Sequence, residues 1–171
     1  MQALRCRRTY NRSMLTGQNR YAGRILGLDV GSRRIGIAVS DPLGITAQGL
    51  TTLHRRNRRH DFDDLRKLLR DYEVREIVVG NPLRMSGESG AQSEKMTEFV
   101  SQLQHAFAIP VHLWDERLST AEAHRLLDET AMSDRRRTEV IDKMAAVLIL
   151  QSFLDARSAS ASRYGATTKE D

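Results

Sequence analysis

Residues 25–41 read Ile25-Leu26-Gly27-Leu28-Asp29-Val30, then Gly31-Ser32-Arg33, then Arg34-Ile35-Gly36-Ile37-Ala38-Val39-Ser40-Asp41. The first six residues form a short apolar run, and Gly31-Ser32-Arg33 supplies a turn. Ile35–Ser40 is a second apolar run. Two such runs across a three-residue connection predict paired antiparallel strands. Residues 46–53, with Thr46, Gln48, Leu50 and Thr52 on one parity, predict a third, amphipathic strand and hence a meander. Within it Asp29 is out of place. A carboxylate in a strand that otherwise reads as buried must find a partner or a cation, or else hold its proton.

Outward from the meander the hydrophobic period changes repeatedly. Past the arginine-rich loop at 54–60, Asp61 is placed to cap a helix carrying Phe62, Leu65, Leu68, Leu69 and Tyr72 on one face. Glu76–Gly80 is a continuous apolar run of the buried parallel type. A loop with Pro82, Gly87 and Gly90 follows, then a helix with Met96, Phe99, Val100, Leu103 and Phe107 aligned. Val111–Glu116 reads as a fifth strand, and Ser119 with Glu122 forms a capping box for a short helix. Residues 129–138 are polar and read as mobile, and a last helix spans Ile141–Ala156. The order βββ-α-β-α-β-α-α predicts an α/β domain. Its sheet is mixed and five-stranded, a three-strand antiparallel meander plus two parallel strands, with helices on both faces.

At 171 residues the chain can bury a core without disulfides or a structural metal, and its single cysteine, Cys6, excludes a disulfide framework or a CxxC site. The formal charge of +5 is unevenly distributed. Residues 1–24 hold six arginines and no acid, whereas residues 25–156 hold 18 basic and 20 acidic residues. The basicity therefore belongs to the termini. Residues 1–23 read as a disordered basic extension, 24–156 as the folded domain, and 157–171 as a flexible tail. Without an apolar signal core or a run approaching a membrane span, the expected location is the cytoplasm, with no membrane partner.

Acids in apolar settings carry the functional signal. Besides Asp29, Asp115 and Glu116 close the fifth strand, and alternation sends them to opposite faces. Asp142 lies in line with Ala146, Ile149 and Phe153 on the last helix, where small Ala145 and Ala146 allow close approach to the sheet. Three acids from separate elements, with no cysteine and no histidine cluster, suit Mg²⁺ or Mn²⁺ rather than zinc. Paired ions of this kind support in-line phosphodiester displacement. Arg55, Arg56, Arg58 and Arg59 form one local basic cluster, and Arg135, Arg136 and Arg137 another. The turn after Asp29 is small enough to cradle a phosphate, and Asn81 opens a loop at a strand end, where α/β sheets place ligands.

Four blocks in order resemble the YqgF/RuvX proteins, ribonuclease H-like relatives of the resolvases. They are Leu26–Asp41, Val78-Val79-Gly80-Asn81-Pro82-Leu83 with Gly87, Asp115-Glu116-Arg117-Leu118-Ser119-Thr120, and Asp142-Lys143-Met144-Ala145-Ala146 with Ile149-Leu150. The resemblance implies a ribonuclease H-like fold and metal-dependent phosphodiester hydrolysis. Its implied substrates are four-way DNA junctions and the 5′ end of precursor 16S ribosomal RNA. By position Asp29, Glu116 and Asp142 become the catalytic, metal-binding acids, with parity left to choose between Asp115 and Glu116. Arg117 becomes a phosphate contact, and Arg33, Arg34, Asn81 and the 55–59 arginines are expected to contact nucleic acid. A homodimer suits a junction substrate. Two other classes share these features. One is a non-catalytic nucleic-acid or ribosome-assembly protein. The other is an actin/Hsp70-like nucleotide-binding protein, disfavoured because such sites lie between two domains of this fold.

Overall fold

The structure, a computed structural model, describes residues 23–81, 91–115 and 134–165. The elements are β1 (Arg24–Val30), β2 (Arg34–Ser40), β3 (Ala47–His54), α1 (Arg58–Asp71), β4 (Val74–Asn81), α2 (Ala91–Phe107), β5 (Val111–Asp115) and α3 (Asp134–Gly165). The five strands form one sheet in the order β3-β2-β1-β4-β5. β2 is antiparallel to β1 and β3, while β4 runs parallel to both β1 and β5. Four strands therefore end at one edge of the sheet, where β2 begins. The expected capping-box helix at Ser119 and the loop following Asn81 lie outside the described residues.

Alternation along the strands divides the interior in two. Leu26 and Leu28 of β1, Ile35 and Ile37 of β2 and Ile77 and Val79 of β4 face α1 and α2, packing with Phe62, Leu65, Phe99 and Leu103. Ile25, Ala38 and Val78 face α3, packing with Ala146, Ile149, Leu150 and Phe153. β3 departs from simple alternation. Thr51 pairs with Ile37 and Gly49 with Ala38, leaving Leu50 as an extra residue at a bulge. The bulge lets Leu50 and Leu53 both pack on the α1/α2 side. Thr52 instead hydrogen-bonds the Glu139 carbonyl of α3, so the expected common parity of Leu50 and Thr52 is broken.

Two helix boundaries differ from the sequence reading. Asn57, not Asp61, caps α1: its extended backbone lets Oδ1 accept from the His60 amide at 3.1 Å. Asp61 is buried one turn in, accepting from the Arg56 amide at 3.0 Å and from Arg55 Nε at 3.4 Å. α3 begins at Asp134, so residues 134–138 are helical rather than loop, and it continues through Arg157 to Gly165. Ser-Ala sequence is compatible with helix once one end is anchored. Arg157 anchors it: Nη1 lies 3.0 Å from both Glu76 carboxylate oxygens, and the guanidinium covers the Phe153 ring. Among the described residues, no helix is long and apolar enough to cross a membrane.

α3 lies close to the sheet because glycine floors its seat. A Cβ on Gly27 would come within 2.7 Å of Leu150 Cβ, and one on Gly36 within 1.9 Å of the Asp142 carbonyl oxygen. At Gly49 the same test meets only ordinary contacts, the nearest being Lys143 Cβ at 3.5 Å. Gly36→Ala must therefore push helix backbone off the sheet, and should cost about 2–3 kcal/mol in denaturant unfolding. Gly49→Ala should stay within about 0.5 kcal/mol of wild type in the same measurement.

Candidate metal and phosphate site

Asp29 ends the α3-facing row of β1, and its register partner on β2 is Gly36. Asp142 sits directly over that glycine, since the Asp142 backbone fills the space a Gly36 side chain would need. The close seat of the helix is thus what brings the two carboxylates into one cavity. That cavity, of about 180 Å³, is lined by Asp29, Gly31, Ser32, Arg33, Arg34 and Asp142. The Gly31 amide donates to the Arg34 carbonyl at 2.9 Å, closing the turn that forms its floor.

The two acids are not equivalent. Arg34 Nε donates to Asp142 Oδ2 at 2.5 Å, and the Asp142 side chain is 18% exposed. Asp29 has no hydrogen-bond or ion-pair partner among the described residues. Burial, and then the neighbouring Asp142 charge, push its carboxyl up from 3.8 to about 6. Arg34 is paired with Asp142, so among the described residues the Asp29 carboxylate is left without a counter-ion in contact. An all-oxygen donor pair of this kind fits a hard divalent cation. Among the described residues, no group of three metal-ligating side chains converges, and the expected third acid, Glu116, lies outside them, as does Arg117.

The remaining expected site residues separate. Arg33 is exposed at the cavity rim, and its carbonyl accepts from the Arg55 amide at 2.9 Å. Asn81 ends β4, and its buried Oδ1 has no hydrogen-bond partner among the described residues. The 55–59 arginines do not act as one cluster. Arg55 is spent internally: Nη1 donates to the Gly31 carbonyl at 3.0 Å, Nε reaches Asp61, and the guanidinium covers the Phe99 ring at 5.6 Å. Arg56 pairs with Asp64 at 3.0 Å. Arg58 and Arg59 face a groove between α1 and α2. Two features escaped the sequence reading. Arg34 engages Asp142 across 108 positions of sequence, for which no local signal exists. Gly36 seats α3; its signal was a glycine inside a strand, which often marks close backbone approach.

A mixed five-stranded sheet in the order β3-β2-β1-β4-β5, flanked by helices on both faces, defines a ribonuclease H-like fold. The solved structures agree on the fold. Thermus thermophilus RuvC in complex with a Holliday junction substrate matches with TM-score 0.50 at 12% identity, over 81% of this chain and 97% of that one. The fowlpox virus resolvase in complex with Holliday junction DNA matches with TM-score 0.50 at 9% identity, over 78% and 98%. The family model described as "RuvX: Holliday junction resolvase" matches residues 23–156, and the chain belongs to that family. Two curated relatives carry the name "Putative pre-16S rRNA nuclease". The one from Koribacter versatilis is 57% identical over 135 residues, covering 79% of this chain and 88% of that protein. The one from Clostridium novyi is 50% identical over 133 residues, covering 78% and 98%.

The raised Asp29 value sets a testable pH dependence of stability. Below about pH 4 folded and unfolded chains both hold the proton, so the group contributes nothing. Between about 4 and 6 only the folded state retains it, so stability falls as pH rises. Above about 6 the cost levels off near 3 kcal/mol. Thermal melts in chelator should therefore show Asp29→Asn more stable than wild type at pH 7–8, with the curves converging near pH 3.5. Equal melting temperatures at every pH would contradict this account.

Proposed function

We propose that this chain is a divalent-metal-dependent phosphodiesterase that hydrolyses structured nucleic acid, acting at the 5′ end of precursor 16S rRNA. The observation that carries the reading is the cavity shared by Asp29 and Asp142, in which the half-buried Asp29 carboxylate has no partner among the described residues. The curated relatives' name supplies the substrate. The family description favours a second substrate, the four-way DNA junction. Two symmetric cuts at such a junction need two sites related by a two-fold axis, which a homodimer provides.

Asp29 and Asp142 would hold Mg²⁺ or Mn²⁺, with Glu116 as third ligand. The alternation of β5 supports Glu116 over Asp115. His112 and Trp114 lie on the α3 side, where His112 meets Glu76 and Trp114 meets Ser152 and Phe153. In an uninterrupted strand a residue two positions further on shares that face, which supports Glu116 as the third ligand. When bound, the cation supplies Lewis-acid polarisation of the scissile phosphate and lowers the pKa of its water. The chain's own groups do the rest. Asp29 and Asp142 fix the charge at the sheet edge, and the short 31–33 turn leaves room for the sugar-phosphate backbone. Arg33 at the rim would contact a phosphate, the role the family resemblance also gives to Arg117. Arg34 holds Asp142 in place and yields some of that contact to the phosphate. Water would attack phosphorus in line as the P–O3′ bond breaks, the water giving up a proton and the leaving 3′ oxygen taking one up from solvent, to give a 5′-phosphate and a 3′-hydroxyl.

Cleavage of precursor 16S rRNA and of a four-way DNA junction, measured side by side with Mg²⁺, with Mn²⁺ and with chelator, tests the reading. Wild type should cut at least one substrate only with metal. Asp29→Asn, Asp142→Asn and Glu116→Gln should each lose more than about 100-fold in rate, exceeding what loss of an outer-shell contact costs. Tight binding with no metal-dependent cleavage would instead establish a non-catalytic assembly factor. Gel filtration with light scattering reads the dimer directly.

A further inference from the structure

The sheet face opposite the Asp29–Asp142 cavity carries a second basic feature. Between α1 and α2 lies an open groove of about 600 Å³, lined by Arg58, Arg59, Phe62, Asp63, Arg66, Ser101, Gln102, His105 and Ala106. This volume falls in the range that admits a sugar-phosphate unit. Its charges are unbalanced. Asp63 is matched by Arg66 at 2.6 Å, while Arg58 and Arg59 have no carboxylate partner among the described residues. A net charge of about +2 concentrated here stands out in a body whose residues 25–156 are slightly acidic overall.

The floor is rigid. Phe62 stacks on Phe107 with centroids 5.6 Å apart and meets the edge of Phe99 at 6.0 Å, and Arg66 covers the Phe107 ring. The His105 Nδ1–H donates to the Ser101 carbonyl at 2.8 Å, which fixes the ring and leaves Nε2 as its remaining polar atom. Gln102 is held by Glu98 at 3.0 Å. The groove is also connected to the cavity. Arg55 touches the Gly31 carbonyl, which belongs to the cavity floor, and the Phe99 ring, which packs against Phe62.

We propose that this groove is a second phosphodiester-backbone site, in which Arg58 and Arg59 hold an arm of the nucleic acid beyond the cleavage point. The proposal rests on the nuclease reading for its ligand, but its contacts lie on the other face of the sheet. Phosphate contacts of this kind are independent of base sequence and release counterions, so they set the salt dependence of binding.

The test is fluorescence anisotropy of the full chain in chelator, so that binding is read without cleavage, with a labelled RNA duplex in one arm and a four-way DNA junction in the other. Arg58→Gln/Arg59→Gln should weaken binding about tenfold at moderate salt and reduce the log–log salt slope by about 2. Loss in one arm alone identifies the RNA or the DNA as the groove's ligand. Arg70→Gln, an exposed charge at the far end of α1 that pairs with Asp71, should leave both readouts unchanged. An unaltered slope in both arms for the double variant would overturn the groove. An equal loss for Arg70→Gln would reduce it to bulk charge. Neither result bears on the nuclease reading, which stands or falls on metal-dependent cleavage by the unaltered chain.

Discussion

The structure depends on how closely the last helix can lie against the sheet. An α-helix normally rests on side chains; here part of it rests on backbone. Gly27 and Gly36 leave no Cβ between strand and helix, and Ala38, Ala145 and Ala146 extend the small-residue contact. The Thr52 hydroxyl bonds the Glu139 carbonyl, and Gln151 bonds both the Ala47 amide and the Ile45 carbonyl, so α3 is also tied to the edge strand. This contact turns two aspartates, 113 positions apart in sequence, into neighbours. Without it Asp29 would be an ordinary solvated strand-end carboxylate.

Close approach has an electrostatic consequence. Asp29 is partly withdrawn from water and faced with a like charge, while Arg34 beside it is paired with Asp142. A local rule of stability is broken at Asp29, a pattern expected where function sets the requirement. The same pair explains why two adjacent arginines differ. Arg33 is exposed at the rim, whereas Arg34 is an internal counter-ion that holds the helix acid in register with the sheet.

The two faces of the sheet are built differently and joined at the edge. On the α3 side the chemistry sits on backbone-level contacts. On the α1/α2 side an aromatic cluster of Phe62, Phe99 and Phe107 supports a basic surface. Arg55 links them by bonding both the Gly31 carbonyl and Asp61. Away from this edge, the Arg157–Glu76–His112 group fastens α3 to β4 and β5 just past the end of the family match.

Much of this was legible in the chain itself, because period-2 and period-3.6 patterns report which residues are buried whatever lies on the far side. The strands, α1, α2 and the anomaly of Asp29 follow from that patterning alone. The four family blocks identified the fold because they preserve spacing as well as composition. What the patterning could not report was contact between distant residues. The Leu50 bulge depends on matching β3 to β2, and the Asn57 cap on where Asp61 is buried. The extension of α3 through Arg157 depends on Glu76 lying across the sheet. That Arg34 meets Asp142 became visible only once Gly36 let the helix down onto the strand, since a hydrogen bond across 108 positions has no local signature.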